Sequence, residues 1–201
     1  MNVLGGKYGS ALQAASSGGH ENIVRLLLEK GVDVNMQGGY YGSALQVASS
    51  GGHEDIVRLL LENGADVNIQ GGEDGGALQA ASGSGHKDIV RLLLDKGADV
   101  NMQGGIYGSA LYAASSAGHE NIARLLLEKG ADVNVQGGQY GCALQAASLS
   151  GHQNIARLLL EQGADVDMLG GEHNSALHAA SSGGHENVAR LLLDKGVDVN
   201  T

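Results

Sequence analysis

Histidine recurs at positions 20, 53, 86, 119, 152 and 185, and every gap is 33 residues. The residues around it recur in the same phase. The first two copies, 5–37 and 38–70, differ only at Lys7/Tyr40, Ala14/Val47, Asn22/Asp55, Lys30/Asn63, Val32/Ala65 and Met36/Ile69. A period of this length means a stack of supersecondary units, each burying its apolar face against its neighbours. The expected division is a single array of six units, approximately 5–37, 38–70, 71–103, 104–136, 137–169 and 170–201. Such an architecture offers a long surface for binding rather than an enclosed catalytic pocket.

Each unit carries punctuation for two helices. Ser10 followed three residues later by Gln13 is a capping-box pattern, which satisfies backbone donors at a helix start. Ala14, Ala15 and Ser16 are small enough to let neighbouring helices approach closely. Gly18-Gly19 ends this first, inner helix. A second, outer helix begins near His20, with Ile23, Leu26 and Leu27 at helical spacing as its buried stripe. Gly31 is placed to close it. The expected windows are Ser10–Ser17 and His20–Glu29. Asp33 to Gln37 then runs extended, and Gly38-Gly39 supplies a tight reversal before Tyr40-Tyr41-Gly42 leads to the next Ser43.

This helix–turn–helix unit with a projecting turn resembles the ankyrin repeat over essentially the whole chain. The match rests on Gly19-His20, Ile23-Val24, Leu26-Leu27-Leu28 and Gly64-Ala65-Asp66-Val67-Asn68. One departure is systematic: the family's Thr-Pro-Leu-His turn reads Ser43-Ala44-Leu45-Gln46, and only Ser175-Ala176-Leu177-His178 keeps the histidine. The Gly-Gly-x-Tyr-Gly-Ser-Ala-Leu variant resembles arrays at the C-terminal end of fungal signalling proteins that carry a NACHT-type nucleotide-binding switch. The resemblance implies an all-α solenoid that binds other proteins through a concave groove lined by fingers and inner helices.

The copies within the chain serve as their own alignment. The position after the paired glycines reads Lys7, Tyr40, Glu73, Ile106, Gln139 and Glu172, changing in charge, size and polarity. Packing does not dictate such a residue, so it is assigned to partner contact. The next position reads Tyr8, Tyr41, Asp74, Tyr107, Tyr140 and His173. Tyrosine suits an interface because it is large, rigid and polar at its tip. Its near-repetition equally suits stacking between neighbouring fingers. Tyr112 and Leu149, on the inner helices, complete the candidate contact set. Leu149 replaces a serine found in four copies and is expected to be exposed on the same face.

Other patterns point away from chemistry. Histidines of adjacent units should lie roughly 8–10 Å apart, too far for two ligands that must each approach one zinc ion to about 2 Å. Each is instead expected to hydrogen-bond locally at the start of the outer helix. Arg25, Arg58, Arg91, Arg124, Arg157 and Arg190 each have an acid four residues on, the pattern of solvated helical pairs. No Gly-Lys-Ser/Thr follows the paired glycines, so they form no phosphate loop. Cys142 stands in a capping position with nothing nearby in sequence to activate it. The chain is therefore read as a non-enzyme with no cofactor.

Acidic residues outnumber Lys plus Arg by 22 to 12, giving a formal charge of −10. That balance repels phosphate backbones and argues against nucleic acid. No stretch is apolar enough to span a bilayer, Met1-Asn2-Val3-Leu4 is no signal peptide, and the single cysteine allows no internal disulfide. A cytoplasmic binding module follows as the expectation. Neither end carries a polar capping unit, so Leu12 and Leu191–Leu192 are expected to expose apolar area. End-to-end self-association as a structural spacer, or an engineered consensus array, are the alternatives.

Overall fold

A computed structural model of the chain describes residues 9–137 and 141–199. Twelve α-helices lie among them, alternating inner and outer. The inner helices are α1 (Ala11–Ser17), α3 (Ala44–Ser50), α5 (Ala77–Ser84), α7 (Ala110–Ala117), α9 (Ala143–Leu149) and α11 (Ala176–Ser182). The outer helices are α2 (Glu21–Glu29), α4 (Glu54–Glu62), α6 (Lys87–Asp95), α8 (Glu120–Glu128), α10 (Gln153–Glu161) and α12 (Glu186–Asp194). The architecture is a solenoid of stacked helix–turn–helix units, as the period implies. Ser10 caps α1 by accepting from the Gln13 amide, and His20 occupies the N-cap of α2. Strand is confined to a two-residue hairpin, β1 (Gln70–Gly71) with β2 (Gly75–Gly76), at one projecting finger.

Each inner helix packs on the inner helices before and after it and on its own outer partner, and the outer helices stack likewise. Inner helices lie closer together than outer ones, because alanine and serine face each other inside while leucine does so outside. The aliphatic core runs continuously through the stack: Leu60, Leu93, Leu126 and Leu159 are fully buried, as are Val57, Val90, Ala123 and Ala156.

The orientation of each leucine explains what happens at the two ends. Leu12 lies on α1, which packs on α3 of the second unit, and Leu192 lies on α12, which packs on α10 of the fifth. Both are buried, against the expectation that they expose apolar surface. Leu191 is half-buried. At the first unit the exposed residues are instead the backward-facing Ile23 and Leu26, at 49% and 53%, where the equivalent Ile56 is 2% exposed. At the last unit they are Leu193 and Val199.

Polar groups stitch the units together as regularly as the core does. Asn35 donates from Nδ2 to the Gly64 carbonyl at 3.1 Å and accepts from the Asp66 amide at 2.7 Å. Asn68, Asn101 and Asn134 repeat both bonds one unit further along. Asp167 takes the next place. It accepts from the Asp198 amide at 2.9 Å, but a carboxylate has no proton to offer the carbonyl of Gly196.

The histidines correct a second expectation. None caps its helix through its side chain. Nε2 of His53, His86, His119, His152 and His185 instead donates to the carbonyls of Ser17, Ser50, Gly83, Ser116 and Leu149, each 36 residues earlier, at 2.9–3.2 Å. A carbonyl only accepts, so Nε2 carries the proton. The ring lies over a glycine of the preceding unit. A Cβ on Gly52 would stand 2.5 Å from the His86 ring, and that glycine also has a φ of +74°, a region that favours residues without a side chain.

The arginines pair in the opposite sense from that expected. Arg25, Arg58, Arg124 and Arg190 bind the glutamate four residues before them, and Arg91 lies 3.6 Å from Asp88. An acid N-terminal to its cation is the better order on a helix, because it also meets the positive end of the dipole. Arg157 has Gln153 at that place, and no ion pair holds it among the described residues.

Two substitutions test this scheme. Asp167→Asn restores the missing donor and should raise stability by about 1 kcal/mol, read as a higher melting temperature. The hydroxyls of Ser16, Ser49, Ser82, Ser115 and Ser148 are buried without a hydrogen-bond partner. Ser115→Ala should therefore leave stability unchanged or raise it by up to about 1 kcal/mol, and a clear loss in thermal unfolding would contradict that accounting.

Candidate functional site: the finger row

The fingers are built by glycine and held from behind by glutamine. Gly38 donates to the Gly42 carbonyl at 2.9 Å, and Gly104 to that of Gly108 at 2.8 Å, closing each loop as a narrow hairpin. The second glycine of each pair takes a positive φ, as at Gly39, Gly72, Gly105 and Gly171. In the last finger Asn174 stands where the others have glycine and keeps the left-handed conformation at φ +59°, which asparagine tolerates better than most residues.

Gln13, Gln46, Gln79 and Gln145 are buried at the start of their inner helices. Gln46 Oε1 accepts from the Ser43 amide, completing the capping box. Its Nε2 reaches into the following unit and donates to the Gly71 and Gly75 carbonyls at 2.8 and 3.1 Å. Gln145 does the same to Met168, Gly170 and Asn174, and Gln13 to Gly38 and Gly42. One amide thus caps its own helix and fixes the next finger. This second role escaped the sequence reading, although a glutamine repeated in four of the six copies inside an apolar stretch was the signal for it.

The tips are joined to each other through the main chain. The Glu73 amide donates to the Tyr40 carbonyl at 3.1 Å, and the Ile106 amide to the Glu73 carbonyl at 2.9 Å. The variable side chains therefore hang from a ladder of backbone bonds that no side chain helps to form. Tyr40, Ile106 and Glu172 are exposed, the first two at 51% and 45%. Glu73 is half-buried between its neighbours. Lys7, Tyr8, Gln139 and Tyr140 lie outside the described residues.

The second row behaves differently. Tyr41, Asp74, Tyr107 and His173 are all half-buried. Tyr107 sits over the end of the preceding inner helix, where a Cβ on Gly83 would touch its ring at 3.7 Å. Tyr41 borders a shallow pocket with Ser17, Val47, Ser50 and Gly51. These rings pack the finger against the helices while leaving one edge to solvent. Tyr40 and Tyr41 meet edge to face, centroids 5.0 Å apart.

Two members of the candidate set are corrected by burial. Tyr112 takes the place of the finger-holding glutamine in α7 and is 3% exposed, so it presents no surface. Leu149 is half-buried rather than exposed. It lies at the end of α9, where its carbonyl receives His185.

The middle of the row is electrostatically distinct. The Glu73 carboxylate beside it pushes the Tyr40 phenol above the ordinary range. Burial, and then the charge of Glu73, push the Asp74 carboxyl up. Burial followed by Asp74 and Glu73 does the same to Tyr107. Burial also pushes up the Cys142 thiol, so that sulfur is poorly suited to nucleophilic work.

A family model described as ankyrin repeats (3 copies) matches residues 2–71, 72–137 and 136–201. Azaphilone pigments biosynthesis cluster protein L of Monascus ruber is 59% identical over 34 residues, which is 17% of this chain and 7% of that protein. The crystal structure of the human ASB11 ankyrin repeat domain superposes with a TM-score of 0.80 at 31% identity, covering 96% of this chain and 86% of that one.

The raised Asp74 pKa has a signed consequence. The folded state disfavours the charged form, so it binds the proton more readily than the unfolded chain, and wild-type stability falls as pH rises through the folded pKa. Asp74→Asn removes that penalty. It should raise the melting temperature at neutral pH, and the gain should shrink as pH is lowered into the ordinary carboxylate range. Thermal melts of both proteins across that range check it.

Proposed function

The chain belongs to the ankyrin-repeat family, and we propose that it is a non-catalytic scaffold recognising a protein partner along its fingers and inner-helix ends. The family's fold is generally a protein-interaction module. The observation that carries the reading here is the backbone ladder through Tyr40, Glu73 and Ile106. It holds the tips together without using their side chains, whose chemistry changes from unit to unit. The six units then act as one continuous contact face.

The same proposal makes the array a ligand-recognition segment of a larger cytoplasmic signalling protein, of the kind joined to a NACHT-type switch. The Monascus ruber match supports a long parent, since about one unit accounts for 7% of that protein. A single buried cysteine suits a reducing compartment. Among the described residues no helix is long and apolar enough to cross a membrane.

A second reading rests on Ile23 and Leu26. Their exposure leaves the backward face of α2 as an apolar surface of the type that internal units cover. Association through that face should respond to Leu26→Glu in sedimentation. Leu192→Glu is the wrong probe, because Leu192 is buried and the charge would unfold its unit.

The main reading is tested by photo-crosslinking in the native host. Crosslinkers at Tyr40, Ile106 and Glu172 should capture a partner protein, and crosslinkers at Arg25, Arg91 and Arg157 on the outer helices should not. Replacing Tyr40, Glu73, Ile106 and Glu172 together by serine should abolish that capture. Each change should cost no more than about 0.5 kcal/mol of stability, as befits a surface residue. Capture from the outer helices alone, or unfolding of the serine variant, would defeat the proposal.

A further inference from the structure

The third unit departs from its neighbours at one place on this face. Tyr41 and Tyr107 hold equivalent positions in the flanking units, and between them stands Asp74. Its side chain is shorter than the rings on either side, and the neighbouring Gly83 replaces the serine of four other copies. The row of rings is thus interrupted by a notch with a half-buried carboxylate in it. Glu73, half-buried at the adjacent position, sets a second carboxylate beside it.

Among the described residues, every arginine and lysine belongs to an outer helix or its C-cap. Lys7 lies outside them. The ion pairs of those arginines, and that of Lys129, are on the outer face. Around Glu73 and Asp74 the finger face therefore presents a pair of carboxylates and two half-buried rings with no described arginine or lysine beside them. Tyr40 and Ile106, both exposed and apolar in bulk, flank Glu73 along the row.

Resting on the recognition reading above, we propose that the notch between Tyr41 and Tyr107 receives an arginine or lysine side chain from an extended segment of the partner protein. The two carboxylates draw the charged head, and the half-buried rings beside them offer apolar surface to a long stem. The spacing of the row sets the rest of the segment. The tips are joined by main-chain bonds of 3.1 and 2.9 Å, which set successive tips about 5–6 Å apart, and an extended peptide advances about 3.3 Å per residue. One tip thus corresponds to about two peptide residues, which also share a face of the peptide. The partner segment carries an apolar residue two positions before and two positions after its central cation, seated at Tyr40 and Ile106.

The test uses the whole chain and the synthetic peptide Leu-Gly-Arg-Gly-Leu, followed by amide shifts in NMR. The same peptide with glutamine at its centre is the control. The arginine peptide is expected to move the amides around Glu73, Asp74 and Tyr107, and to bind about tenfold more tightly than the control. Asp74→Tyr installs the residue that both flanking units carry, so the unit keeps its packing while the notch is filled; it should weaken the arginine peptide to the level of the control. Glu73→Gln gives a milder loss. Equal binding of the two peptides on the fingers overturns the cation assignment and leaves the recognition face standing. Shifts confined to the outer helices overturn both. An arginine peptide that fails to bind at millimolar concentration, or binds Asp74→Tyr unchanged, overturns the inference alone.

Discussion

Every unit leaves polar groups that only its neighbour can satisfy, and the rest of the structure depends on that dependence. A buried amide or carbonyl without a partner costs more than a made bond returns. Gln46, Asn68 and His86 each solve this by crossing a unit boundary. The aliphatic core supplies the attraction between units, but apolar packing alone tolerates sliding. A hydrogen bond 29 or 36 residues away does not. The repeat length is preserved without insertion because several ladders have to close at once.

Helix positions were legible because their signals are local. Serine caps, paired glycines and the Leu-Leu-Leu run each act within a few residues, and the helices begin within a residue of the expected starts. The roles of Gln46, Asn35 and His53 were not legible, for their partners lie in the next or previous unit and no local rule reaches that far. The same limit misplaced Leu12 and Leu192. Periodicity shows that a residue is apolar and repeated, whereas burial at an end depends on whether it faces forward or back. The exposed row at Tyr40 and Ile106 was readable from variation between copies, but Tyr112 was not separable from it, since a variable residue can be variable and buried.

The finger row and the glutamine row divide two tasks that many surfaces combine. Gln46 and its equivalents fix where each finger stands. The main-chain bonds from Tyr40 to Glu73 to Ile106 fix the distance between tips. What remains at the tips is side-chain identity, which can change without disturbing either. A unit can therefore acquire a carboxylate at position 74 where its neighbours keep a ring, with the cost confined to that residue's own desolvation.

The ladders also have a sense of direction. Histidine always reaches toward the start of the chain, while asparagine and glutamine reach toward its end. A stack built this way is a polar object, like a filament with distinguishable ends. Any further unit that continues the ladders has to arrive in the same orientation as those already present. Two arrays meeting through like faces would not reproduce these pairings, which join a forward face to a backward one. Growth by stacking is head-to-tail, and symmetry does not close it.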